Sequence, residues 1–354
     1  MAPIQHRPLR TVLVGFGHGG SVFHAPLIQH DPGLDLAVVV TSSPDRRQAA
    51  RAAYPTARVA ASLDDALLTV PDLDLAVIAT PHATHAPLAA VALGRGLHVV
   101  VDKPFVVHAD DGERLIDAAR AADRLLVPFH NRRWDGDFLT VRSAVASGAL
   151  GGVRTFESAM ESWKPSIRKP WKRDAGPADG GGVLYDLGSH LVDQALTLFG
   201  PAVPVYAELR NDRGGAAEDS AFLVLRHDGG VTSHLHAGTL VPLVRPRFRV
   251  AGAQRGLTIM GTDPQEALLA AGVRPDGVAG AAEALAVPPR GLLGRDGDAE
   301  PFAVGPGRYP DFYSGLVAAI HGGGPPPVTA AEALDVVRLI EQVHATYPPG
   351  PPGI

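Results

Sequence analysis

Residues 10–20, RTVLVGFGHGG, form an apolar run that leads directly into a Gly-x-Gly-x-x-Gly loop. Gly15, Gly17 and Gly20 occupy the three glycine positions of this loop, and helix-compatible sequence follows. The first glycine permits a tight turn, the second lets the backbone approach a pyrophosphate, and the third lets strand and helix pack closely. The start of the helix offers unpaired N–H groups and a positive dipole end. The stretch therefore predicts a dinucleotide site at this loop, including Phe16.

Length and composition bound the class of protein. The chain has 354 residues, too long for one ordinary domain and sufficient for two. A formal net charge of −5 and the lack of a Lys/Arg-dense block argue against nucleic acid or an anionic membrane as partner. There is no cysteine, which excludes disulfides, thiolate zinc sites and a cysteine nucleophile. The sequence shows no signal-like segment and no membrane-length apolar run, so we expect a soluble cytoplasmic protein.

Strand and helix signals alternate through the first third of the chain. Such alternation gives right-handed crossovers and an open, doubly wound parallel sheet. The apolar runs that predict buried strands are Thr11–Val14, Leu36–Thr41, Leu73–Thr80, Leu97–Val101 and Leu125–Phe129. The segments that predict helices are Pro44–Ala53, Ser62–Leu68, Ala83–Leu93 and Asp110–Ala122. Pro26 should kink or end the first helix, because it removes a backbone hydrogen bond.

The pattern changes after about residue 130. A helix at Trp134–Ser147 precedes a succession of strands joined mostly by short turns, which indicates an antiparallel or mixed sheet. The predicted strands are Val153–Glu161, Val203–Leu209, Ala221–His227, Val231–Ala237, Phe248–Ala251 and Gly256–Met260. The Gly-, Pro- and Ala-rich stretch Ala270–Gly307 predicts a long loop. Helices are expected at Tyr309–His321 and Thr329–Thr346, before an extended tail at Tyr347–Ile354.

The end of the second strand bears on the choice between NAD and NADP. An NAD site usually places a carboxylate there for the ribose 2′-hydroxyl, but Asp35 falls at the opposite end of this strand. The chain instead has Ser42 and Ser43, followed by Arg46 and Arg47. Small hydroxyls and an arginine suit a 2′-phosphate and so favour NADP. The alternative, compatible with it, is a capped helix start with water-facing arginines.

A second candidate is the strand end Val99-Val-Val-Asp102-Lys103-Pro104. Ligands of doubly wound sheets bind at the carboxyl ends of the strands, so Lys103 would overhang the crevice. There it could bond a substrate oxygen and stabilise a developing alkoxide. Taken alone, a charged pair at a turn is equally well a surface ion pair that contributes little.

A third candidate is Gly180–Gln194, where Leu184, Leu187, Leu191 and Leu198 make an apolar helical stripe. Asp186 and His190 lie four residues apart on another face, so their side chains should be neighbours. An adjacent Asp would orient the imidazole and raise its basicity, as a general base requires. Gly188 costs about 1 kcal/mol in mid-helix, which close approach of a ligand or another backbone would justify. The alternatives are a solvent-facing Asp–His pair and, with another histidine, a zinc site.

These motifs together resemble the glucose–fructose oxidoreductase/inositol dehydrogenase/rhizopine-catabolism (Gfo/Idh/MocA) family in order and approximate spacing. The resemblance covers nearly the whole chain. It extends to Thr80-Pro81-His82-x-x-His85, Asn131–Trp134, Phe312-Tyr313 and Pro327-Val328-Thr329. Within the family, Val22–Leu27 and Asn131–Phe138 most resemble the NADP-dependent scyllo-inositol dehydrogenase branch.

The resemblance implies a Rossmann domain at residues 1–130. It implies a substrate-binding and oligomerising α/β domain at 131–354, with a large open, mostly antiparallel sheet. The C-terminal helices can pack back on the first domain. A homodimer or homotetramer is expected.

Carried over by position, the family roles assign substrate and nicotinamide-ribose contacts to Lys103, proton removal to His190 and orientation of both substrate and His190 to Asp186. The cofactor groove would be lined by Thr80, Pro81, His82 and His85, with Asp102 and Asn131 near the nicotinamide. The family's usual Glu-Lys-Pro is Asp-Lys-Pro here, a change that shortens the carboxylate by one methylene. An Arg-Phe-Arg-Pro-like segment of the branch is replaced by Ser162-Trp163-Lys164-Pro165, which leaves the substrate open. Weaker candidates for substrate contact are Trp163, Arg168, Trp171 and Tyr185.

The resulting interpretation is an oxidoreductase that transfers hydride between NADP(H) and a secondary alcohol or ketone of a cyclic polyol or sugar. No metal is expected in the site. One rival is a non-catalytic dinucleotide-binding sensor with a protein partner, which need not keep the lysine and histidine. The other is a reductase of a different carbonyl, such as a dihydrodiol or a tetrapyrrole.

Overall fold

The computed structural model describes residues 6–167, 173–283 and 288–349. Its first sheet has six parallel strands in the order β3-β2-β1-β4-β5-β6, so the order reverses between β1 and β4. The strands are β1 Leu9–Val14, β2 Leu34–Val40, β3 Arg58–Ala60, β4 Leu75–Ile78, β5 His98–Asp102 and β6 Leu126–Phe129. This is the doubly wound Rossmann sheet predicted from the alternation of strands and helices, and β3 is an addition.

Helices cover both faces of this sheet. They are α1 Ala25–His30, α2 Pro44–Ala53, α3 Leu63–Thr69, α4 His85–Gly94 and α5 Ala109–Ala122. One wide π-type turn, Gly19–His24, joins the glycine loop to α1. Helical structure therefore continues past Pro26, but its hydrogen-bonding pattern changes one residue before the proline, where Ala25 N–H bonds Gly20 O. Pro26 lies in the first turn of α1, where its missing N–H is tolerated.

A 3₁₀ turn at Asn131–Trp134 and helix α6 at Gly136–Ala146 lead into the second sheet, which has eight strands in the order β14-β13-β12-β11-β7-β10-β9-β8. All neighbours are antiparallel except β7 and β10. The strands are β7 Val153–Glu161, β8 Ala202–Arg210, β9 Ser220–His227, β10 Thr232–Gly238, β11 Phe248–Gly252, β12 Gly256–Met260, β13 Arg290–Gly294 and β14 Glu300–Phe302. Helix α7, Ser189–Phe199, packs on the sheet's buried face.

The prediction of a long loop at Ala270–Gly307 is wrong for much of that segment. It contains β13, β14 and helix α9, Val278–Glu283, and follows helix α8, Gln265–Ala270. β13 pairs with β12, and Gly291 lies so close to β14 that a Cβ would be 2.4 Å from Phe302 O. Pairing with an existing edge strand therefore overrides a composition that disfavours strands.

Two long C-terminal helices complete the fold: α10, Pro310–Gly322, and α11, Ala330–Thr346. Phe312 and Tyr313 of α10 are buried against one face of the Rossmann sheet. α11 contributes to both halves, because Leu334 packs in the Rossmann core and Ile340 in the core of the second sheet. The boundary after residue 130 stays a prediction. None of the helices within the described ranges has both the length and the apolar composition needed to cross a membrane.

Candidate active site

The glycine loop lies at the carboxyl end of β1, next to the point where the strand order reverses. Gly15 has φ +105°, and a Cβ there would lie 2.2 Å from Ala79 O. A Cβ on Gly20 would lie 2.0 Å from Gly15 O, so these two glycines are required by close packing. A Cβ on Gly17 would meet Nη1 of Arg46 at 3.8 Å, an ordinary contact. Among the described residues the loop is thus open at Gly17, which fits the approach of a diphosphate.

Phe16 stays a prediction as a cofactor residue, but its side chain lies in the core. Its side chain is buried in the Rossmann core and packs edge-on against Tyr54, with ring centroids 6.1 Å apart. An aromatic ring following the first glycine fills the space under α2 rather than facing the crevice. Only the backbone of Phe16 can therefore face a dinucleotide.

The two arginines after β2, Arg46 and Arg47, lie in different environments. Ser43 Oγ accepts from Arg46 N–H at 3.4 Å and caps α2, as the capping alternative predicts. Arg47 donates from Nη2 to Ser42 O at 2.7 Å and is half-buried. Arg46 is exposed, and its guanidinium reaches toward Gly17. Asp35 lies at the opposite end of β2, where its register partner is Arg10.

The segment after β4 contains two histidines in different environments: His82 lies in the groove and His85 is buried beneath it. Nδ1 of His82 is 2.9 Å from Gly180 O in the second half, and burial, with the charges of Lys103 and His85, lowers its pKa to about 4. His85 is fully buried, with its ring nitrogens 2.9 Å from Pro104 O and 2.9 Å from Thr80 O. The prediction that His85 lines the groove is therefore wrong. The ring instead joins the turns after β4 and β5, while Thr80 and exposed Pro81 remain at the sheet edge.

Lys103 connects the two halves of the protein. It follows β5, and the Lys103–Pro104 peptide bond is cis. Its Nζ donates to Asp186 O at 2.6 Å and to Asp186 Oδ1 at 2.9 Å. The Lys103 side chain is only 17% exposed, so this is not the weak surface ion pair of the alternative interpretation. An ammonium has three N–H donors, and one is left for a further acceptor.

His190 lies in the first turn of α7 and is 4% exposed. Burial, the largest effect, and the charges of Lys103, Arg132 and His130 hold its pKa well below the usual value, although Asp186 acts in the opposite direction. Asp186 thus raises the pKa of His190 as predicted, but burial and the neighbouring positive charges outweigh its effect. The carboxylate of Asp186 serves Lys103, and His190 is held neutral, the form that can accept a proton.

The helix that carries these residues is not a simple α-helix. Leu184–Gly188 forms a π-type turn before α7 begins. A Cβ on Gly188 would lie 2.7 Å from Cδ1 of Leu184, so the glycine makes room for the residue one turn earlier. The expectation that Gly188 admits a ligand or another backbone is replaced by this local packing. Such turns occur often at functional sites.

Among the weaker substrate candidates, Tyr185 is wrong. It is 2% exposed, its hydroxyl donates to Val107 O at 2.9 Å, and burial raises its pKa. Trp163 is exposed and forms an isolated bridge to Leu240, beyond the ends of the central strands β7 and β10, and its contact with substrate stays a prediction. Arg168 and Trp171 lie outside the described residues. Asn131, at the end of β6, is almost fully buried.

Sequence reasoning missed a buried polar group behind His190. Arg133 donates to both carboxylate oxygens of Asp193, at 2.6 to 3.1 Å, and the pair is nearly inaccessible to solvent. Nδ1 of His130 lies 3.8 Å from the same carboxylate, and its ring is perpendicular to that of His190 with centroids 6.4 Å apart. These residues come from elements about 60 positions apart, so no local spacing could have paired them. Across the described ranges, no cluster of three or more His, Asp or Glu side chains could hold a metal ion.

Comparison with known proteins agrees with this architecture. A family described as an oxidoreductase family with an NAD-binding Rossmann fold matches residues 9–130, and a GFO/IDH/MocA C-terminal domain matches residues 138–258. The chain belongs to the Gfo/Idh/MocA family of oxidoreductases. Membership makes it an NAD(P)-dependent dehydrogenase, and the opening at Gly17 fits the dinucleotide that this class binds.

Individual relatives are similar to this chain over nearly its whole length. The oxidoreductase YdgJ of Escherichia coli (strain K12) is 38% identical, with 94% of each chain covered. The scyllo-inositol 2-dehydrogenase (NADP(+)) IolW of Bacillus subtilis (strain 168) is 32% identical, covering 94% of this chain and 92% of that protein. A solved oxidoreductase structure from Yersinia pestis is 39% identical, with a TM-score of 0.86 and 98% of both chains covered.

Proposed function

We propose that this Gfo/Idh/MocA protein transfers hydride between NADP(H) and a secondary alcohol or ketone of a cyclic polyol or sugar. The observation that carries the proposal is the contact between Lys103 of the Rossmann half and Asp186 of the other half, four residues before His190, whose pKa the ammonium lowers. The similarity to IolW, whose name states an inositol substrate and NADP, supports the substrate class and the cofactor.

In the oxidation direction, His190, Lys103 and Asp186 have different roles. A bound nicotinamide supplies the hydride acceptor. His190, neutral and buried, accepts the proton of the substrate hydroxyl. Lys103 donates its remaining N–H to the same oxygen and stabilises the negative charge that develops there. Asp186 fixes Lys103 through two hydrogen bonds, so the ammonium is held in place before substrate arrives.

A dinucleotide-binding sensor is the rival from another class. A sensor needs the glycine loop but gains nothing from a largely buried lysine that is held by Asp186, one helical turn before a neutral histidine. A reductase of a different carbonyl would use the same three residues, so only turnover distinguishes it. We would assay inositols, aldoses and ketones by the absorbance of NADPH. Turnover of polyols supports the proposal, and turnover confined to dihydrodiols or tetrapyrroles contradicts its substrate class.

Arg46 provides the test of cofactor choice. Replacing it with alanine should weaken NADP+ binding by at least about tenfold and leave NAD+ binding within about twofold, because only NADP carries the 2′-phosphate. Dissociation constants from fluorescence titration measure this. Arg51, at the far end of the same helix α2, is the matched control and should affect neither. Equal loss for both cofactors would contradict the assignment of Arg46.

His190 should titrate well below pH 6.5. Its pKa is lowered by burial first and then by Lys103, so the ring should stay neutral as the pH falls from 8 through 6.5, where an ordinary imidazole is half protonated. NMR of the imidazole protons checks this, with the His190→Gln variant used to assign the signal. An apparent pKa at or above 6.5 would mean that Asp186 dominates after all.

We further propose a homodimer or homotetramer formed through the open face of the second sheet. This face carries a row of rings, Tyr206, Phe222 and His236, with centroids 6.1 and 4.6 Å apart, and Tyr206 is 47% exposed. Tyr206→Arg should reduce the mass in sedimentation equilibrium toward that of a monomer. Leu68→Arg, at an exposed position of α3, should not. An unchanged mass for the Tyr206 variant would exclude this face.

The cytoplasmic location stays a prediction from the sequence.

A further inference from the structure

The segment Val22–Leu27 has so far no role in the proposed reaction, yet it places a histidine beside the site. His24 ends the π-type turn that follows the glycine loop and is fully buried. Its ring packs on Phe129 at the end of β6, with centroids 4.2 Å apart. Its two nitrogens face different polar groups: Nδ1 is 2.7 Å from Tyr313 Oη, and Nε2 is 3.7 Å from Asp102 Oδ2.

The direction of these contacts follows from the chemistry of the groups. An ionised carboxylate only accepts hydrogen bonds, so a neutral His24 ring is best placed with its proton on Nε2, toward Asp102. Nδ1 then carries the lone pair, and the Tyr313 hydroxyl must donate to it. The carboxylate of Asp102 therefore favours the His24 tautomer with its proton on Nε2, and Tyr313 supports that tautomer by donating its hydroxyl hydrogen to Nδ1.

Asp102 lies between the glycine loop and Lys103. Its Oδ1 accepts from Lys103 N–H at 2.7 Å, and a Cβ on Gly19 would lie 2.5 Å from its Oδ2. Burial alone would raise the pKa of Asp102, but the facing ring of His24, with Lys103 and His85, lowers it to about 2. The group is thus a partly buried anion, 21% exposed, at the carboxyl end of β5, under the half of the sheet that takes the nicotinamide.

We propose that Tyr313 and His24 act as positioning residues that hold Asp102 as an oriented anion, and that this anion favours the oxidised form of the cofactor. The nicotinamide ring is cationic when oxidised and neutral when reduced. A fixed negative charge near it therefore stabilises only the oxidised form. The inference rests on dinucleotide binding by the family and is independent of the polyol substrate and of the choice of NADP over NAD.

Binding constants test the proposal without substrate. We would measure the dissociation constants of NADP+, NADPH, NAD+ and NADH by calorimetry. The ratio of oxidised to reduced constants should rise by on the order of tenfold in Asp102→Asn. It should rise by about threefold in His24→Met, which has no donor, and return toward the wild-type ratio in His24→Gln, which keeps an N–H near the position of Nε2.

Because His24 is buried, thermal unfolding of every variant must accompany these titrations. His227, a buried histidine of β9 bonded to Gly200 O and Ser233 Oγ, provides a matched pair of controls, His227→Met and His227→Gln, which should leave the ratio unchanged. If His24→Met does not fold, Tyr313→Phe should raise the ratio in the same direction.

The outcomes distinguish failure of the proposed role of His24 and Asp102 from failure of the dinucleotide site. An unchanged ratio in Asp102→Asn, or equal shifts in His24→Met and His24→Gln, would overturn the role of the pair. Since the nicotinamide is common to both cofactors, the shift should appear with NAD and NADP alike. Failure of the wild-type protein to bind either cofactor would instead overturn the dinucleotide site itself.

Discussion

Replacing Lys103 with methionine should lower kcat/KM by about a thousandfold. The methionine side chain fills similar space but offers no N–H donor, so the charge developing on the substrate oxygen loses its stabilisation. It also removes the two hydrogen bonds, 2.6 and 2.9 Å long, that Lys103 Nζ donates to the carbonyl and carboxylate of Asp186. Steady-state kinetics with the substrate found in the NADPH assay measures the effect.

Two further measurements separate chemistry from folding in this variant. Affinity for the dinucleotide should change by less than about fivefold, because the glycine loop and Arg46 remain intact. Lys103→Arg keeps the charge with a different donor geometry and should recover part of kcat. Normal turnover by Lys103→Met would refute the mechanism.

Replacing Arg133 with methionine should reduce the free energy of unfolding by about 3–5 kcal/mol. The substitution leaves the carboxylate of Asp193 buried without its arginine partner. Among the described residues, Nδ1 of His130, 3.8 Å away, is then its remaining polar neighbour. Urea denaturation monitored by circular dichroism measures the loss. The double variant Arg133→Met/Asp193→Leu should recover a large part of it, since both charges are then absent.

The control for this effect is an exposed arginine. Arg338 of α11 pairs with Glu113 and Asp335 at the surface, and its replacement with methionine should cost less than about 1 kcal/mol. Equal losses for the Arg133 and Arg338 variants would show that the buried pair is not a special contributor. A double variant less stable than Arg133→Met alone would show that Asp193 has another essential role.

Much of the Rossmann half could be predicted because its signals are local. The boundaries of α2 follow from Ser43 as its cap and Pro44 at its first position, and the buried strands are continuous apolar runs. β3 has only three residues, too few for a periodic pattern. β13 is stabilised by its neighbours β12 and β14 rather than by its own composition, so its existence depends on contacts that the sequence does not display.

The site was predictable by residue type but not by orientation. Lys103 and Asp186 are 83 positions apart, and their contact depends on how the two halves meet. Spacing also could not show that His85 and Tyr185 turn into the interior, nor that burial outweighs Asp186 in setting the pKa of His190. Long-range packing decides each of these points, and it decides whether a polar side chain faces the crevice or supports it.

The proposed reaction is the NADP-linked oxidation of a polyol by Lys103, Asp186 and His190. Its most direct test is a single assay of the wild-type protein and the Lys103→Met variant with NADP+ and a panel of inositols and sugars. We expect the wild type to form NADPH, to form at least about tenfold less reduced cofactor with NAD+, and the variant to form almost none. Equal rates for the two proteins, or turnover that depends on NAD+ alone, would contradict it.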